Sequence, residues 1–283
     1  MARHTSWRVG GPAERFYTPA DLEDLTRFLH QLPAEEPLHW VGLGSNLLVR
    51  DGGLPGTVIC TNGALSGLSR LVGPRVRVEA GVACPKLARF CNKQGLRGAE
   101  FLAGIPGSMG GALAMNAGAC GAETWELVEL VETLDHAGQL RLRPAGDFTI
   151  GYRSVTGPAG EWFVAAHLKL EAGDPAFGLA LMKEWLARRG ATQPTQQANA
   201  GSVFRNPPDD HAGRLIETAG LKGACIGGAC VSEKHANFIV NTGAATAEDI
   251  EALIEHIGER VEQVHGVRLQ REVRIVGCGR QQA

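Results

Sequence analysis

The chain has 283 residues, 44% of them hydrophobic and 20% charged, with a formal net charge of −2. That is the balance of an ordinary globular protein with room for two or three domains, and it excludes a general nucleic-acid binder, which carries a basic surplus. No stretch approaches the ~18 uninterrupted apolar residues of a transmembrane helix, and the opening MARHTSWRVGG lacks the apolar core of a secretory signal, so a cytoplasmic protein is expected.

Residues 18–32 read as a helix, with Thr18 as cap, Pro19 in the first turn, Asp21 completing a capping box, and Leu22, Leu25, Phe28 and Leu29 on one face. Strands are expected at 38–41, 47–50, 56–61 and 75–80, followed by a helix at 85–94 that Gly95 stops. Strand character returns at 127–134, 140–143 and 163–171. The pattern then turns helical at 179–189, ending at Gly190, and a polar loop at 191–201 leads to a short helix at 213–219 and strands at 229–231 and 237–241. The strongest helix is 246–265. Thr246 and Asp249 form its capping box, Ile250, Leu253, Ile254, Ile257, Val261 and Val264 its buried stripe, and Gly266 its end. A last strand at 267–276 alternates, with Val267, Leu269, Val273 and Ile275 on one face and Arg268, Gln270, Glu272 and Arg274 on the other. Glu272 and Arg274 then lie about 7 Å apart, either on a solvated face or as a charge pair facing a ligand.

The seven cysteines are odd in number and contain no CxxC. Cys225 and Cys230 lack a second ligand pair, so reduced, mostly buried thiols are expected and zinc is not. The nine histidines show no HxH or HExxH spacing, and no metal site is expected.

Six of the eighteen residues in GIPGSMGGALAMNAGACG, 104–121, are glycine. So little side-chain bulk and so many backbone N–H groups suit a diphosphate lying against the main chain; tight packing without a ligand is the alternative. GLGSNLLVR at 42–50 follows a strand but continues as strand, so it is no Rossmann fingerprint. It can still present Gly42, Gly44, Ser45 and Asn46 to the same diphosphate, or be an ordinary turn. In AGSVFRNP, 200–207, Ser202 can exchange a proton, and Arg205 and Asn206 are ligand-gripping types. No GxSxG elbow surrounds Ser202. Arg153 in GYRS and His235 in VSEKHANFIVN have equally plain structural readings, as an ion-pair partner and a hydrogen-bonding histidine.

In order, these segments resemble the UDP-N-acetylenolpyruvoylglucosamine reductases. The resemblance is carried by TSWRVGGPAE at 5–14, VGLGSNLLV at 41–49, FLAGIPGSMGGALAMNAGACG at 101–121, GYR at 151–153, AGSVFRNP at 200–207, GRLIETAGLKGACIGGACVSEKHANFIVN at 213–241 and EVRIVG at 272–277. It implies an α+β fold: an FAD-binding region of the PCMH/vanillyl-alcohol-oxidase type in two subdomains, 1–65 and 66–172, then an α+β substrate-binding domain at 173–283 whose last residues pack back on the first subdomain. It implies non-covalent FAD, NADPH as hydride donor and the enolpyruvyl nucleotide-sugar as substrate, in peptidoglycan precursor synthesis. No membrane, nucleic-acid or obligate protein partner is implied.

Carried over by motif, Ser202 is the acid that protonates the carbon bearing the carboxylate. Arg153 and Glu272 polarise that carboxylate, and Arg205, Asn206, His235 and Arg274 hold the nucleotide-sugar. Gly42, Gly44, Ser45, Asn46 and Leu47, with Gly104, Ile105, Pro106, Gly107, Ser108, Gly110, Gly111, Asn116, Gly118 and Ala119, hold FAD. Ser154 follows Arg153 directly where the family often has YRxS. With only Tyr17 and Tyr152, the chain resembles the shorter branch, which lacks a tyrosine-bearing insertion. Two alternatives are another flavin oxidase of the same fold, for which Cys120 is a candidate flavin tether, and a non-catalytic nucleotide-sugar-binding protein.

Overall fold

The computed structural model describes residues 1–280. In chain order the elements are β1 (Ala13–Tyr17), α1 (Leu22–Leu29), β2 (Leu38–Val41), β3 (Leu47–Val49), β4 (Leu54–Cys60), β5 (Leu68–Arg70), β6 (Arg75–Glu79), α2 (Cys84–Lys93), β7 (Leu96–Arg97), α3 (Met109–Met115), β8 (Gly118–Ala119), β9 (Ala122–Glu123), β10 (Val128–Asp135), β11 (Leu140–Pro144), β12 (Thr149–Gly151), β13 (Ser154–Thr156), β14 (Glu161–Lys169), β15 (Glu171–Ala172), α4 (Pro175–Thr192), α5 (Ala212–Thr218), β16 (Cys225–Ile226), β17 (Ala229–Val231), β18 (Ile239–Asn241), α6 (Ala247–His265) and β19 (Arg274–Val276). They form two compact units, each discontinuous in sequence. One comprises residues 1–15, 44–56 and 189 onward, the other 16–43 and 57–188.

The second unit is built on an antiparallel sheet in the order β11-β10-β14-β6-β5. Strand alternation makes it two-faced. On β6, Val76 and Val78 are fully buried, while Arg75 and Arg77 point the other way and pair with Glu129 and Glu132 of β10. α2 packs Cys84, Leu87, Ala88 and Cys91 into the core that Val76 and Val78 share. A smaller core gathers Leu25 and Leu29 of α1 with Ile59 and Val164.

In the first unit, α5 and α6 contribute to one core with the β16-β17-β18 sheet. Ile250, Leu253, Ile254, Ile257 and Val261 of α6 are buried, and both halves of the Thr246–Asp249 capping box are made. Trp7, fully buried, joins this core and donates its indole N–H to the carbonyl of Ile239 at 2.8 Å. β19 runs parallel to β3, pairing Arg274 with Leu47.

Several local expectations change. α1 begins at Leu22, because Asp21 rather than Thr18 is the cap, accepting from the Asp24 N–H at 2.8 Å. α4 runs through Gly190 to Thr192; an isolated glycine costs a helix about 1 kcal/mol but does not end it. Val264 is 43% exposed and outside the α6 stripe. Leu269 and Val273 are buried as the alternation requires, but Arg271, on the same parity, is exposed, and only Arg274–Val276 is a strand. The expectation of reduced thiols fails at Cys225 and Cys230, which form a disulfide. The antiparallel register of β16 and β17 sets them directly opposite, which the spacing alone does not reveal. Cys60, Cys84 and Cys91 are buried thiols, and burial pushes Cys84 and Cys91 up to about 12.

Candidate functional site

The first unit gathers Ser202, Asn206, His235, Glu272, Arg274 and the 44–47 loop. Residues 203–205 run antiparallel to 270–272: the Glu272 N–H donates to the carbonyl of Val203 at 2.8 Å, and the Arg205 N–H to the carbonyl of Gln270 at 2.9 Å. Ser202 and Glu272 therefore sit at the same end of one strand pair. Asn237 fixes this pair from behind. Its amide makes two reciprocal bonds to Phe204, accepting from the N–H at 3.0 Å and donating to the carbonyl at 2.8 Å, and its own carbonyl accepts from Val203. The 44–47 loop grips the other side: the Asn46 amide donates to the Glu272 carbonyl, and the Arg274 N–H donates to the Asn46 carbonyl, both at 3.0 Å. Leu47 opens β3, and Ser45 is half-buried in the turn before it.

Gly44 has φ +64°, and a Cβ there would meet the His4 carbonyl at 2.0 Å, so this glycine is required by the protein's own packing. The Asn206 side-chain Oδ1 accepts from the Ala212 N–H, the first of α5, at 3.1 Å. Arg205 has a buried Nε without a hydrogen-bond partner. His235 Nδ1 accepts from the Asn237 N–H at 3.2 Å, which places the proton of the neutral ring on Nε2. Burial holds its pKa below the ordinary histidine value.

The second unit holds Gly42, the 104–119 run and Arg153. The run is not a loop throughout. Met109, Ala112 and Leu113 recur at helical spacing and are buried, so 109–115 is helical, and Asn116 ends it in the left-handed region at φ 42°. Its glycines divide into two kinds. A Cβ on Gly110 would lie 2.9 Å from the Ala80 Cβ, and one on Gly118 would lie 2.7 Å from the Ala122 carbonyl, so these two are close approaches within the protein. Gly104 and Gly111 have ordinary room, with nearest atoms at 3.9 and 3.7 Å. Ile105 and Gly107 are buried and Pro106 exposed, and the Gly107 carbonyl accepts from the Cys84 N–H. Ala119 pairs with Ala122 across the β8–β9 hairpin, whose turn carries the exposed Cys120.

Arg153 is the second residue of the two-residue turn joining β12 and β13, with φ 53°. Its guanidinium reaches back to the glycine run, donating from Nη2 to the Gly118 carbonyl at 2.9 Å and from Nη1 to the Asn116 carbonyl at 3.3 Å. Glu123 stands 3.5 Å from Nη1. Asn116 is 2% exposed, and its side chain is engaged within the protein: Nδ2 donates to Glu123 and to the Gly151 carbonyl, and Oδ1 accepts from the Trp125 N–H.

The fit to a dinucleotide cofactor is tested by Ser108. It is 2% exposed, and its Oγ has no hydrogen-bond partner. A Cβ on Gly42 would fall 2.1 Å from that oxygen and one on Gly111 3.7 Å. A buried hydroxyl thus lies between two bare stretches of main chain, and an unmet hydroxyl costs about 1–3 kcal/mol. A phosphate oxygen is the acceptor such a position suits, so these residues fit a diphosphate.

Asn237 and Glu123 are absent from the sequence-based set. Asn237 carried a signal, since a polar residue opening the apolar run NFIV must find partners when buried. Glu123 carried none. Among the described residues no helix is long and apolar enough to cross a membrane, and no cluster of three His, Cys, Asp or Glu could hold a metal ion.

Two family models match the chain: "FAD binding domain" over residues 13–142 and "UDP-N-acetylenolpyruvoylglucosamine reductase, C-terminal domain" over 193–276. The chain is 63% identical to the UDP-N-acetylenolpyruvoylglucosamine reductase of Alkalilimnicola ehrlichii, covering 98% of this chain and 93% of the relative. It is 60% identical to that of Methylococcus capsulatus, covering 98% and 91%. The crystal structure of the reductase from Thermus caldophilus superposes with a TM-score of 0.83 at 36% identity, over 97% of this chain and 96% of that one. The fold is the expected α+β arrangement with an FAD-binding region of the PCMH/vanillyl-alcohol-oxidase type. The chain belongs to the UDP-N-acetylenolpyruvoylglucosamine reductase family.

Proposed function

We propose that this protein reduces the enolpyruvyl group of UDP-N-acetylglucosamine enolpyruvate to give UDP-N-acetylmuramate, a peptidoglycan precursor, with FAD bound and NADPH as hydride donor. Family membership over nearly the whole chain carries this reading. It favours the reductase over a flavin oxidase or a non-catalytic binding protein. FAD, when bound, supplies hydride transfer from NADPH to the vinyl carbon.

The rest falls to side chains. Hydride addition at the terminal vinyl carbon leaves negative charge at the adjacent carbon and its carboxylate. Arg153, its guanidinium fixed on two carbonyls, stabilises that charge, and Glu272 helps polarise the carboxylate. Ser202 gives its proton to the carbon bearing the carboxylate and is restored from solvent. A serine is a weak acid, so it serves only if held against a strongly basic carbon. The strand pair clamped by Asn237 provides such rigidity.

Asn206, Arg205, His235 and Arg274 contact the nucleotide-sugar. Gly42, Gly104, Ser108 and Gly111 receive the cofactor diphosphate, with Ile105, Pro106, Gly107 and Ala119 beside them. Carried over by motif, Gly44, Ser45, Asn46, Leu47, Gly110, Asn116 and Gly118 are further FAD-binding positions. Functionally the chain divides into FAD-binding regions at 1–65 and 66–172 and a substrate-binding region from 173 onward. The reaction takes place in the cytoplasm.

The test is an anaerobic titration of the purified protein. A flavin spectrum should bleach with NADPH and recover on adding the enolpyruvyl nucleotide-sugar, with UDP-N-acetylmuramate formed in equal amount. A colourless protein that takes up no FAD, or a bleached one that never recovers, overturns the reading.

A further inference from the structure

We propose that Glu123 is a positioning residue for Arg153, aiming its guanidinium at the substrate carboxylate. The proposal rests on the role assigned to Arg153 above. Arg153 sits at a hairpin turn, a place where a long side chain is free to swing unless held. Two neutral carbonyls, of Asn116 and Gly118, hold it from one side. Glu123 adds an ionised partner: its Oε1 is 3.5 Å from Nη1, with the Arg153 and Glu123 side chains 18% and 33% exposed.

Glu123 is itself fixed. Its other oxygen, Oε2, accepts from the Asn116 amide at 2.7 Å, and its side chain caps the short helical turn at Thr124–Leu127, completing a capping box with Glu126. The same Asn116 amide also donates to the Gly151 carbonyl, the residue that enters the Arg153 turn. Glu123 and Asn116 thus tie the head of Arg153 and the base of its hairpin to one rigid point. A carboxylate here has two opposed effects: it weakens the field of the guanidinium, and it fixes its direction. For a planar fork that must meet a planar carboxylate, direction governs the affinity.

The experiment uses the FAD-loaded protein and the variants Glu123→Gln, Glu123→Ala, Arg153→Ala and the double variant Glu123→Ala/Arg153→Ala. Two quantities are read: the Kd of UDP-N-acetylmuramate, which bears the same carboxylate, by calorimetry, and the rates of flavin reduction by NADPH and reoxidation by the enolpyruvyl nucleotide-sugar. Glu123→Ala is expected to raise Kd about tenfold and slow reoxidation similarly, leaving reduction within about twofold. Glu123→Gln keeps one acceptor of the two, so its NH2 must face either Nη1 or the Asn116 amide, and a loss between wild type and Glu123→Ala is expected. Once Arg153 is alanine, removing Glu123 should change neither quantity further. Tighter product binding in Glu123→Ala and Glu123→Gln would mean that Glu123 damps the charge of Arg153, and overturns the proposal. Additive losses, or equal losses in both half-reactions, overturn it too. A wild-type protein that is reduced but never reoxidised by the enolpyruvyl substrate refutes the functional reading itself, a separate outcome.

Discussion

The side-chain amide of Asn46 donates to the backbone carbonyl of Glu272 across 226 residues of sequence, at 3.0 Å. The Arg274 N–H returns a bond to the Asn46 carbonyl at the same distance. A glycine-rich turn and the C-terminal strand are thereby locked in register, and the backbone of Glu272 is fixed between them. Asn46→Ala removes this donor, at a cost of about 1 kcal/mol. Asn46→Asp sets a carboxylate against that carbonyl and should cost more than alanine. Urea unfolding of the apoprotein reads both, free of any cofactor contribution. Equal stability of wild type and Asn46→Asp would show that the clamp carries no energy.

Ser202→Ala tests the proton donor. Flavin reduction by NADPH requires no proton from Ser202 and should stay near normal. Reoxidation by the enolpyruvyl substrate should slow by about 10² or more, the usual range for losing a positioned acid. Stopped-flow absorbance under anaerobic conditions separates the two steps. Comparable loss in both would remove Ser202 from the acid role and leave it a structural part of the strand pair.

Gly111 and Gly42 separate cradle from packing. Gly111 lies exposed in α3, and a methyl carbon added there would have its nearest neighbour atom at 3.7 Å, so Gly111→Ala should stabilise the apoprotein by up to about 1 kcal/mol through helix propensity. If main chain at this point meets the cofactor, the same methyl should weaken FAD binding at least tenfold. Gly42→Ala drives a methyl to 2.1 Å from the Ser108 oxygen and should lose stability and FAD together. Thermal unfolding of apoprotein and a fluorescence titration with FAD give the two readings. Undiminished FAD affinity in Gly111→Ala would assign the bare surface of α3 to nothing more than chain packing.

Much of the fold is written locally. The α6 cap, most of its stripe and β2 follow from spacing, because each is decided by neighbours one to four residues away. The glycine run is legible as a bare surface, but not as a helix, since Gly110 and Gly111 hide the helical recurrence of Met109, Ala112 and Leu113. Which glycines are bare is not legible at all: Gly110 is fixed by Ala80 and Gly44 by His4, contacts of the folded chain. The same holds for Asn237 and Glu123, whose partners lie 33 and 30 residues away, and for the Cys225–Cys230 bond, which depends on hairpin register. Ser202, Arg153 and Glu272 stand out only through the family resemblance, because each has an ordinary local reading.

His235 gives a pH prediction with a definite sign. Burial lowers its pKa below 6.5, and its Nδ1 accepts from the Asn237 N–H, a bond that only the ring without a proton on Nδ1 can make. The unfolded chain therefore binds the proton more readily than the folded one. The stability that the neutral ring contributes is fully present above the unfolded pKa of about 6.5 and is lost as pH falls through the lower folded value. The carboxylates with lowered pKa, Glu132, Glu161 and Asp249 among them, lose their contribution only at more acid pH, below the ordinary carboxylate value. Between pH 7.5 and 5.5 the decline should thus come from the cations that burial disfavours, His235 together with His4 and the Met1 amine, and His235→Gln, which cannot protonate, should remove the His235 share of it. Gly213 supplies an internal check. A Cβ there would press to 3.1 Å from the His235 ring, so Gly213→Ala should shift the ring and blunt the same pH step. Urea midpoints measured every half unit of pH decide the matter: an identical slope in wild type and His235→Gln would place the titrating group elsewhere.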